Sequence, residues 1–292
     1  MSHKAGFVSI IGKPNAGKST LMNALVGEKM SIITPKAQTT RHRIMGIVND
    51  EDHQIIFSDT PGVIKPKYSL QESMMNFVQG SLVDADIILF VTDINEKYDE
   101  NEVLEKLLKT DSPVIVLINK IDKSTELEVK EKIEFWKEKL NPDAIFAISA
   151  LLGYNVFPIM EYIKDKLPVH PAYYEKDELT DKSMRFFASE MIREKIFKLY
   201  DKEIPYSTEV VVTAFKEEGN LTRISAEIIV ERDSQKNIII GKGGAMIKKV
   251  GTYARQDIEE FIGGKVFLEV FVKVLSDWRS KKNHLKRFGY ED

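Results

Sequence analysis

The strongest constraint in this sequence is a loop at residues 12–19, which reads Gly-Lys-Pro-Asn-Ala-Gly-Lys-Ser and completes the pattern G-x-x-x-x-G-K-S/T. The apolar run at residues 7–11 before it is typical of a buried strand, and residues 20–26 after it have the pattern of a helix. Glycines at such a junction let backbone N–H groups turn inward at the start of a helix, where they bind phosphate groups. Lys18 supplies positive charge to the terminal phosphates, and the Ser19 hydroxyl is a ligand for Mg²⁺. The loop therefore predicts an α/β domain that binds a nucleoside polyphosphate.

The chain has 292 residues, which is enough for two domains that each bury a core. It contains no cysteine, so disulfides and thiolate metal sites are excluded, in agreement with a reducing cytosol. The first residues lead directly into the predicted strand, so we expect no signal peptide, and there is no apolar run of about 18 residues that could span a membrane. These features predict a cytoplasmic protein.

Up to about residue 167 the sequence alternates between apolar strand-like runs and amphipathic helical patterns. The predicted strands lie at residues 55–57, 87–91, 114–118 and 144–148, and the clearest helices at residues 126–140 and 156–167. Continuous apolar strands separated by helices are typical of a mostly parallel sheet with helices on both faces. In such a sheet ligands bind beyond the carboxyl ends of the strands. The polar motifs that follow these strands are therefore the candidate site residues.

One such motif, Asp59-Thr60-Pro61-Gly62, follows the strand predicted at residues 53–58. An aspartate at a strand end can hold Mg²⁺ through a water molecule. Gly62 has no side chain to shield its N–H group, which can approach a γ-phosphate and so sense whether that phosphate is present. On its own D-x-x-G is usually only a turn, but about forty residues after a phosphate-binding loop it predicts a nucleotide sensor.

The base is predicted by a third motif, Asn119-Lys120-Ile121-Asp122, after the strongest apolar strand. The Asp122 carboxylate can accept two parallel hydrogen bonds from adjacent guanine N–H donors, an arrangement that adenine does not offer. Asn119 and Lys120 would support the pocket, and Ser149-Ala150-Leu151 after the next strand would offer backbone N–H groups to the guanine O6. The predicted ligand is therefore GTP or GDP. The predicted contacts are Gly12, Lys13, Pro14, Asn15, Ala16, Gly17, Lys18, Ser19, Thr20, Asp59, Thr60, Pro61, Gly62, Asn119, Lys120, Asp122, Ser149, Ala150 and Leu151.

These four motifs, in this order and spacing, resemble the GTP-binding domain of translation-factor-related GTPases. Residues 34–43, Thr-Pro-Lys-Ala-Gln-Thr-Thr-Arg-His-Arg, resemble the first switch loop of the Era family of ribosome-assembly GTPases. The resemblance implies a six-stranded sheet and hydrolysis of GTP to GDP and phosphate. It also implies that a threonine of this loop completes the Mg²⁺ ligands with Ser19 and Asp59. Thr40 is favoured because related proteins place that threonine directly before the arginine, and Thr39 is the alternative.

The residue after the D-x-x-G motif is Val63, where Ras-like proteins have a glutamine that orients the attacking water. Valine cannot hydrogen-bond a water, so intrinsic hydrolysis should be slow unless another group supplies the polarisation. In related GTPases without that glutamine, an asparagine of the phosphate loop helps to hold K⁺, and Asn15 occupies the matching position. Asn15 could equally serve only to stabilise the loop. The candidate catalytic residues are Asn15, Lys18, Thr40 and Gly62.

Residues 168–174 contain two prolines and break the alternating pattern, so we predict a GTPase domain at residues 1–168, a linker at 169–180 and a second domain at 181–292. The second domain reads helix, strand, strand, helix, helix, strand. It carries 21 Lys and Arg against 18 Asp and Glu, whereas residues 1–180 carry 21 against 27. The excess of positive charge favours a partner with a phosphate backbone.

The two helices of this second domain meet at Gly241-Lys242-Gly243-Gly244. A G-x-x-G loop alone has little value, and a helix–turn–helix packing element is the alternative. In this order of elements it resembles the type II KH domain that follows the GTPase domain in the Era family. KH loops clamp single-stranded RNA, with bases read in an adjoining apolar groove. The candidate RNA contacts are Gly241, Lys242, Gly243, Gly244, Lys248 and Lys249; Ile239, Ile240 and Ile247 fit either the groove or the core.

The resemblance implies that the partners are the 3′ end of 16S ribosomal RNA and the assembling 30S subunit, and that the protein is a monomer. It leaves open a peripheral association with the inner face of the cell membrane. Two other functions stay open: an RNA-binding module whose affinity is gated by GTP, and a GTPase of the tRNA-modification type. The basic segment at residues 279–287, beside Trp278 and Phe288, would either extend the RNA surface or form a solvated helix.

Overall fold

The computed structural model describes residues 2–96 and 102–291 and divides them into two compact units. The first unit comprises Met1–Pro66 and Met74–Asp181, and the second comprises Lys67–Ser73 and Lys182–Asp292. The predicted boundary at residue 168 therefore differs from the boundary of the unit, because residues 169–181 group with the first unit. Lys67–Ser73 groups with the second unit, where Leu70 N donates to the carbonyl of Arg279 over 2.9 Å.

The first unit is built around a six-stranded sheet. Its elements in chain order are β1 (Lys4–Ile11), α1 (Lys18–Val26), β2 (Ile44–Asn49), β3 (His53–Asp59), α2 (Ser69–Val83, whose first turns belong to the second unit), β4 (Ile87–Asp93), α3 (Glu102–Leu107), β5 (Val114–Asn119), α4 (Glu126–Leu140), β6 (Ala144–Ala147) and α5 (Val156–Lys166). The strand order is β2-β3-β1-β4-β5-β6, and only the β2–β3 pair is antiparallel. The prediction of a mostly parallel, six-stranded α/β fold is confirmed.

Parallel pairing brings the predicted motifs to one edge of this sheet. Ile10, the second-last residue of β1, pairs with Asp59 at the end of β3, and Asp93 at the end of β4 pairs with Asn119 at the end of β5. Because the strands run in the same direction, the loops that follow them emerge together. The apolar runs that specify these strands are buried, and β5 is buried along its whole length. The core of the sheet thus fixes the positions of the loops.

Three elements of the first unit were not recognised in the sequence, and one of them is the six-residue helix α3 (Glu102–Leu107). β2 (Ile44–Asn49) follows the polar loop at residues 34–43 and is a short edge strand, and α2 (Ser69–Val83) lies between the D-x-x-G motif and β4. In α2, apolar residues are interspersed with Ser, Asn and Gly, which are weaker helix formers, so its pattern is less distinct than that of α4.

The segment predicted as a linker lies against the edge of the sheet. Ile47 N in β2 donates to the carbonyl of Leu179 over 2.8 Å, and the Thr180 hydroxyl donates to the carbonyl of Met45 over 2.6 Å. The fully buried Gln54 side chain accepts hydrogen bonds from the backbone N–H groups of Tyr173 and Tyr174. These bonds satisfy the exposed edge of β2 and explain why this segment belongs to the first unit.

The second unit has the predicted order of elements, α6 (Met184–Leu199), β7 (Glu209–Glu218), β8 (Leu221–Val230), α7 (Asp233–Ile240), α8 (Ala245–Ile262), β9 (Lys265–Val274) and, at the end, α9 (Lys282–Arg287). β8 pairs with β7 in an antiparallel register and with β9 in a parallel one. One face of this sheet packs against α6 and α8 around a core that includes Ile192, Ile224 and Ile258. The predicted type II KH arrangement is confirmed.

The C-terminal segment packs into the second unit, so neither of the two expectations for Trp278 and its neighbours describes it fully. Trp278 is completely buried and donates its indole N–H to the carbonyl of Ser207 over 3.0 Å. Arg279 forms an ion pair with Glu231 at 2.5 Å, which occupies its guanidinium group. Leu285 and Tyr290 are also buried. The segment is therefore a structural part of the unit.

Candidate nucleotide-binding site

The phosphate loop requires glycine at both of its motif positions. Gly12 has φ +153° and Gly17 has φ +100°, which are values that residues with side chains rarely adopt. A Cβ atom on Gly12 would lie 2.1 Å from the carbonyl oxygen of Val91, and one on Gly17 would lie 2.1 Å from Nδ2 of Asn119. The loop can therefore approach its neighbours only because these positions lack side chains.

Lys18 begins α1 and its ammonium group lies inside the loop. Nζ donates to the carbonyls of Gly12 at 3.1 Å and Lys13 at 3.0 Å. Burial lowers the pKa of Lys18 to about 8, against the opposing attraction of Asp59 and Glu96. An anionic phosphate in the loop would favour the charged ammonium form and so raise the pKa of Lys18 again.

Ser19, Thr40 and Asp59 come together beside the phosphate loop. The Ser19 hydroxyl donates to Oδ2 of Asp59 over 2.7 Å and lies 2.8 Å from Oγ1 of Thr40, while Thr40 donates to the same carboxylate over 3.4 Å. Burial raises the pKa of Asp59, and its Oδ1 atom has no hydrogen-bond partner among the described residues. A buried carboxylate oxygen without a partner, next to two hydroxyl oxygens, fits a hard cation such as Mg²⁺.

The hydroxyl of Thr39, the alternative Mg²⁺ ligand, hydrogen-bonds within its own loop. Its Oγ1 atom lies 2.5 Å from Oγ1 of Thr34 and donates to the carbonyl of Lys36 over 2.7 Å. No cluster of three His, Cys, Asp or Glu side chains capable of holding a metal occurs in residues 2–96 and 102–291. The oxygen cluster around Asp59 has a single carboxylate, as expected where nucleotide phosphates provide the remaining charge.

The D-x-x-G segment closes over the phosphate loop. The buried Thr60 hydroxyl donates to the carbonyl of Ile10 over 2.8 Å, and Val63 N donates to the carbonyl of Gly12 over 3.0 Å. A Cβ atom on Gly62 would lie 2.7 Å from backbone atoms of Pro14. Glycine is therefore needed for the close approach of the two loops.

Asn119 connects the base-binding motif to the phosphate loop. Its buried side chain donates to the carbonyl of Ala16 over 2.8 Å and accepts a hydrogen bond from Ala150 N at 2.9 Å. The Ser149 hydroxyl donates to Oδ1 of Asp122 over 2.6 Å and so orients this exposed carboxylate. These contacts place three of the predicted motifs in one connected network.

Two acidic residues of this region were missed in the sequence. Asp93 forms an ion pair with Lys120 at 2.7 Å, and Lys120 Nζ in turn donates to the carbonyl of Asn15 over 2.5 Å. Glu96 forms an ion pair with Lys13 at 3.3 Å. The signal for Asp93 was present, because it is a polar residue at the end of an apolar strand in a parallel sheet. Glu96 lies three residues further on and had no such signal.

The cleft formed by these loops has a volume of about 560 Å³. Its lining includes Lys18, Ser19, Thr40, Gly62, Lys120 and Leu151. Residues from all four motifs and from the predicted switch loop thus contribute to the same region of the first unit.

The G-x-x-G loop lies in the second unit between α7 and α8. Gly241, Gly243 and Gly244 all have positive φ, at 71°, 58° and 78°. The side chains of Lys242, Lys248 and Lys249 are exposed. A groove of about 290 Å³ runs between α8 and β9 and is lined by Ile247, Lys248, Gly251, Thr252, Arg255, Leu268 and Val270.

Of the three isoleucines that fitted either a groove or the core, Ile239 is fully buried in the core of the unit. Ile247 lines the groove, and Ile240 is half-buried. The periodicity of an apolar run could not separate these positions, because both the core and the groove require apolar side chains on one side of a helix.

The fold and the two sites define a P-loop GTPase domain joined to a KH domain. A family model described as a 50S ribosome-binding GTPase matches residues 7–120, and a KH domain model matches residues 203–279. The GTPase Era of Staphylococcus haemolyticus is 45% identical over 291 residues, which cover 99% of this chain and 97% of that protein. The chain belongs to the Era family of GTPases.

Two solved structures of Era show the same architecture. One is a crystal structure of Era in complex with MgGDPNP and nucleotides 1506–1542 of 16S ribosomal RNA; it is 40% identical, has a TM-score of 0.93 and covers 99% of this chain and 100% of its own. The other is a variant of Aquifex aeolicus Era bound to GDP and AlF4⁻, with 41% identity, a TM-score of 0.93 and the same coverage.

We expect Asp122→Asn to lower the affinity for GTP by at least about a hundredfold, because two hydrogen bonds to a charged acceptor are lost. The same change should raise the affinity for xanthosine triphosphate, whose C2 carbonyl can accept a hydrogen bond from the new amide. Competition binding with the two nucleotides measures both effects. Glu126→Gln, which removes a nearby exposed carboxylate, is the matched control and should leave the preference for GTP unchanged. Retention of GTP selectivity by Asp122→Asn would contradict the assignment.

Proposed function

We propose that this protein is a GTP-driven switch that binds the 3′ end of 16S ribosomal RNA and assists assembly of the 30S subunit. The observation that carries the proposal is that one chain holds both a complete set of guanine-nucleotide motifs and a basic G-x-x-G loop beside an open groove. The Era relative described above was crystallised with a GTP analogue and a segment of 16S ribosomal RNA, which supports the same pair of ligands here.

The proposed nucleotide contacts follow from the positions of their atoms. The backbone N–H groups of residues 12–20 and the ammonium group of Lys18 would bind the phosphates. Asp122 would select guanine, supported by Ser149 and by the Asn119 bridge to the phosphate loop. Gly62 would offer its N–H to the γ-phosphate, so the segment Asp59-Thr60-Pro61-Gly62 would be ordered in the triphosphate state and released after hydrolysis.

Ser19, Thr40 and Asp59 are the residues that would hold Mg²⁺ with the nucleotide. The ion, when bound, neutralises negative charge on the β- and γ-phosphates. The oxygen atoms of these residues lie within 3.4 Å of one another, which supports the assignment. Thr40 belongs to the switch loop, whereas Ser19 and Asp59 belong to the rigid sheet and its first helix. Thr40 is therefore the ligand through which the loop can respond to the nucleotide.

Thr40→Ala should raise the Mg²⁺ concentration required for half-maximal GTP hydrolysis by about tenfold or more, the scale expected for a weakened metal site. Thr39→Ala is the matched control, since it removes the same hydroxyl from the adjacent residue and should change the Mg²⁺ requirement little. Steady-state turnover over a range of Mg²⁺ concentrations gives both values. The opposite ranking of the two variants would assign the metal to Thr39.

Hydrolysis in this proposal depends on groups outside the D-x-x-G motif. The side chain of Val63 has no polar atom that could orient water, and its backbone N–H is bonded to the carbonyl of Gly12. Asn15 has φ +64°, is exposed, and its side chain forms no hydrogen bond with other described residues. Its amide oxygen is thus available to a monovalent cation, and we propose K⁺ at this position. Positive charge there would stabilise the charge that develops on the phosphates.

K⁺ should accelerate GTP turnover by the unmodified protein by at least about tenfold relative to Na⁺, because a positive charge at the transferring phosphate stabilises the transition state. Asn15→Ala should abolish this difference while retaining GDP affinity. Turnover in matched KCl and NaCl buffers, with nucleotide affinity measured in parallel, tests both statements. Equal rates in the two salts for the unmodified protein would refute the K⁺ site and leave the rest of the proposal standing.

RNA binding is assigned to Gly241, Lys242, Gly243, Gly244, Lys248 and Lys249. The glycines permit close approach of a sugar-phosphate backbone at the N-terminus of α8, and the exposed lysines supply positive charge. The groove between α8 and β9 would receive bases, with Ile247 and Leu268 in contact with them. A KH loop clamps about four nucleotides, so this groove accounts for a short single-stranded segment.

We place this activity in the cytoplasm, where ribosomal subunits assemble, and propose that the protein acts as a monomer. In the described part of the chain no helix has the length and hydropathy needed to cross a membrane. Peripheral association with the inner face of the membrane, which the family resemblance left open, is part of the proposal only as a second location. Sedimentation of the purified protein with and without lipid vesicles tests it directly.

Lys242→Glu combined with Lys248→Glu should weaken binding to a short single-stranded RNA from the 16S 3′ end by at least about tenfold and make the affinity less dependent on salt. The affinity for GTP should not change. Lys106→Glu with Lys109→Glu, two exposed lysines of the first unit, is the charge-matched control. Fluorescence anisotropy with labelled RNA in the GDP and GTP-analogue states also tests the switch. Equal RNA affinity in both states would remove the switch while leaving two independent binding activities.

A further inference from the structure

The sheet of the second unit has one open face with two exposed aromatic side chains. Side chains of β9 alternate between the core and this face, and the outward row is Lys265, Phe267, Glu269, Phe271 and Lys273, all of them exposed. Phe267 is 45% exposed and Phe271 is 56% exposed. Both rings project from the same edge strand, about 13 Å apart at the usual rise per residue.

The neighbouring strand adds a cationic side chain to this row. Arg223 in β8 is opposite Phe267 in the register, and its guanidinium group lies 5.2 Å from the centre of the Phe267 ring. Glu218 in β7 forms an ion pair with Arg223 at 2.7 Å and so restrains the guanidinium plane beside the ring. The result is a preformed platform of stacked planar groups, which is the kind of surface on which nucleic-acid bases stack.

The charge of this face suits a polyanion with unpaired bases. Four cations, Lys216, Arg223, Lys265 and Lys273, accompany three acids, Glu218, Glu227 and Glu269. Two of the acids are matched by two of the cations, since Glu218 pairs with Arg223 and Glu227 with Lys273 at 3.6 Å, which leaves Lys216 and Lys265 against one acid. The remaining acid, Glu269, lies between the two rings, where it can accept hydrogen bonds from base amino groups rather than meet phosphates.

This face is continuous with the groove across the edge of β9. Leu268 and Val270, which alternate with the exposed phenylalanines, point to the opposite side and line the groove with Ile247 and Arg255 of α8. A strand of RNA that leaves the groove at this edge therefore meets Phe267 or Phe271 on the other side of the same strand. This continuity favours RNA over a protein partner for the exposed rings.

We propose that the open face of the β7–β8–β9 sheet is a second RNA-binding surface, on which Phe267 and Phe271 stack bases that lie beyond the segment held in the groove. The proposal rests on the proposed function of the groove, because it extends the path of the same RNA. It predicts that the protein binds a longer single-stranded segment than the G-x-x-G loop and groove can accommodate.

The test compares two RNAs: one of about four to six nucleotides, which fits the groove alone, and one that covers 16S nucleotides 1506–1542, the segment present in the Era complex. Phe267→Leu with Phe271→Leu keeps apolar bulk but removes both rings. We expect it to weaken binding of the long RNA by about tenfold or more, because each stacked base contributes that much. Affinity for the short RNA should be unchanged. Phe157→Leu, at an exposed phenylalanine of the first unit, is the matched control.

Phe271→Trp provides an independent readout. Trp136 and Trp278 are both buried, so a new exposed indole would give a separate fluorescence signal. Its emission should be quenched by the long RNA and not by the short one, with the long-RNA affinity retained because the aromatic ring is retained. Absence of quenching by the long RNA would overturn the proposal.

The outcomes separate this inference from the function on which it rests. Failure of the unmodified protein to bind the short RNA would refute the groove assignment itself. Binding of the short RNA together with unchanged long-RNA affinity of the double leucine variant would overturn only the second surface. Weaker binding of that variant to 30S subunits, with naked long RNA bound normally, would also overturn it and assign the exposed rings to a ribosomal protein.

Discussion

The buried side chain of Asn119 is the interaction on which the arrangement of the nucleotide site depends. Its amide bonds to the carbonyl of Ala16 in the phosphate loop and to Ala150 N in the last motif. The contact is possible only because Gly17 has no Cβ atom, which would lie 2.1 Å from the Asn119 amide. One glycine and one amide therefore join the loops after β1, β5 and β6. The phosphate loop and the proposed base-binding loops are coupled, because none of them can move without breaking hydrogen bonds of a buried group.

The three proposed Mg²⁺ ligands differ in how firmly the fold holds them. Ser19 and Asp59 are held by α1 and β3, whereas Thr40 reaches them from a loop without regular secondary structure. Within that loop Thr39 hydrogen-bonds to Thr34 and donates to the carbonyl of Lys36. The hydroxyl of Thr40 is thus the contact most easily gained or lost between states. A switch of this kind needs only one loop whose affinity for the triphosphate state of the site exceeds its affinity for the diphosphate state.

The parts of the fold that could be predicted from sequence were those set by strong local patterns. β5 and α4 were predicted closely because one is a continuous apolar strand and the other has a capping box at Thr125 and Glu128. The place of residues 169–181 could not be predicted, because their hydrogen bonds reach positions more than 100 residues away, such as Gln54 and Tyr174. β2 pairs with the nearby β3, but it is a short edge strand and its pattern was not distinct. Glu96 was missed because its role depends on a distant partner, Lys13. Motif chemistry identified the principal candidate residues, whereas the supporting contacts required the tertiary structure.

The candidate ligand-binding groups are buried in the first unit and exposed in the second, and this difference bears on what the protein can do. In the first unit the candidate groups for the nucleotide and its metal are buried: Lys18, which would meet phosphate, and Asp59, which would hold Mg²⁺, are almost inaccessible, and their altered pKa values reflect the cost of that burial. Such a site gains much from the arrival of a charged ligand and therefore differs strongly between its states. In the second unit the proposed RNA contacts, the lysines around the G-x-x-G loop and the aromatic row of β9, are exposed. The side chain of Val63 cannot orient the attacking water. The triphosphate state of the first site should therefore persist until another group assists hydrolysis. If hydrolysis is slow and the proposed RNA contacts bind as they stand, the lifetime of the triphosphate state would set how long the RNA is held.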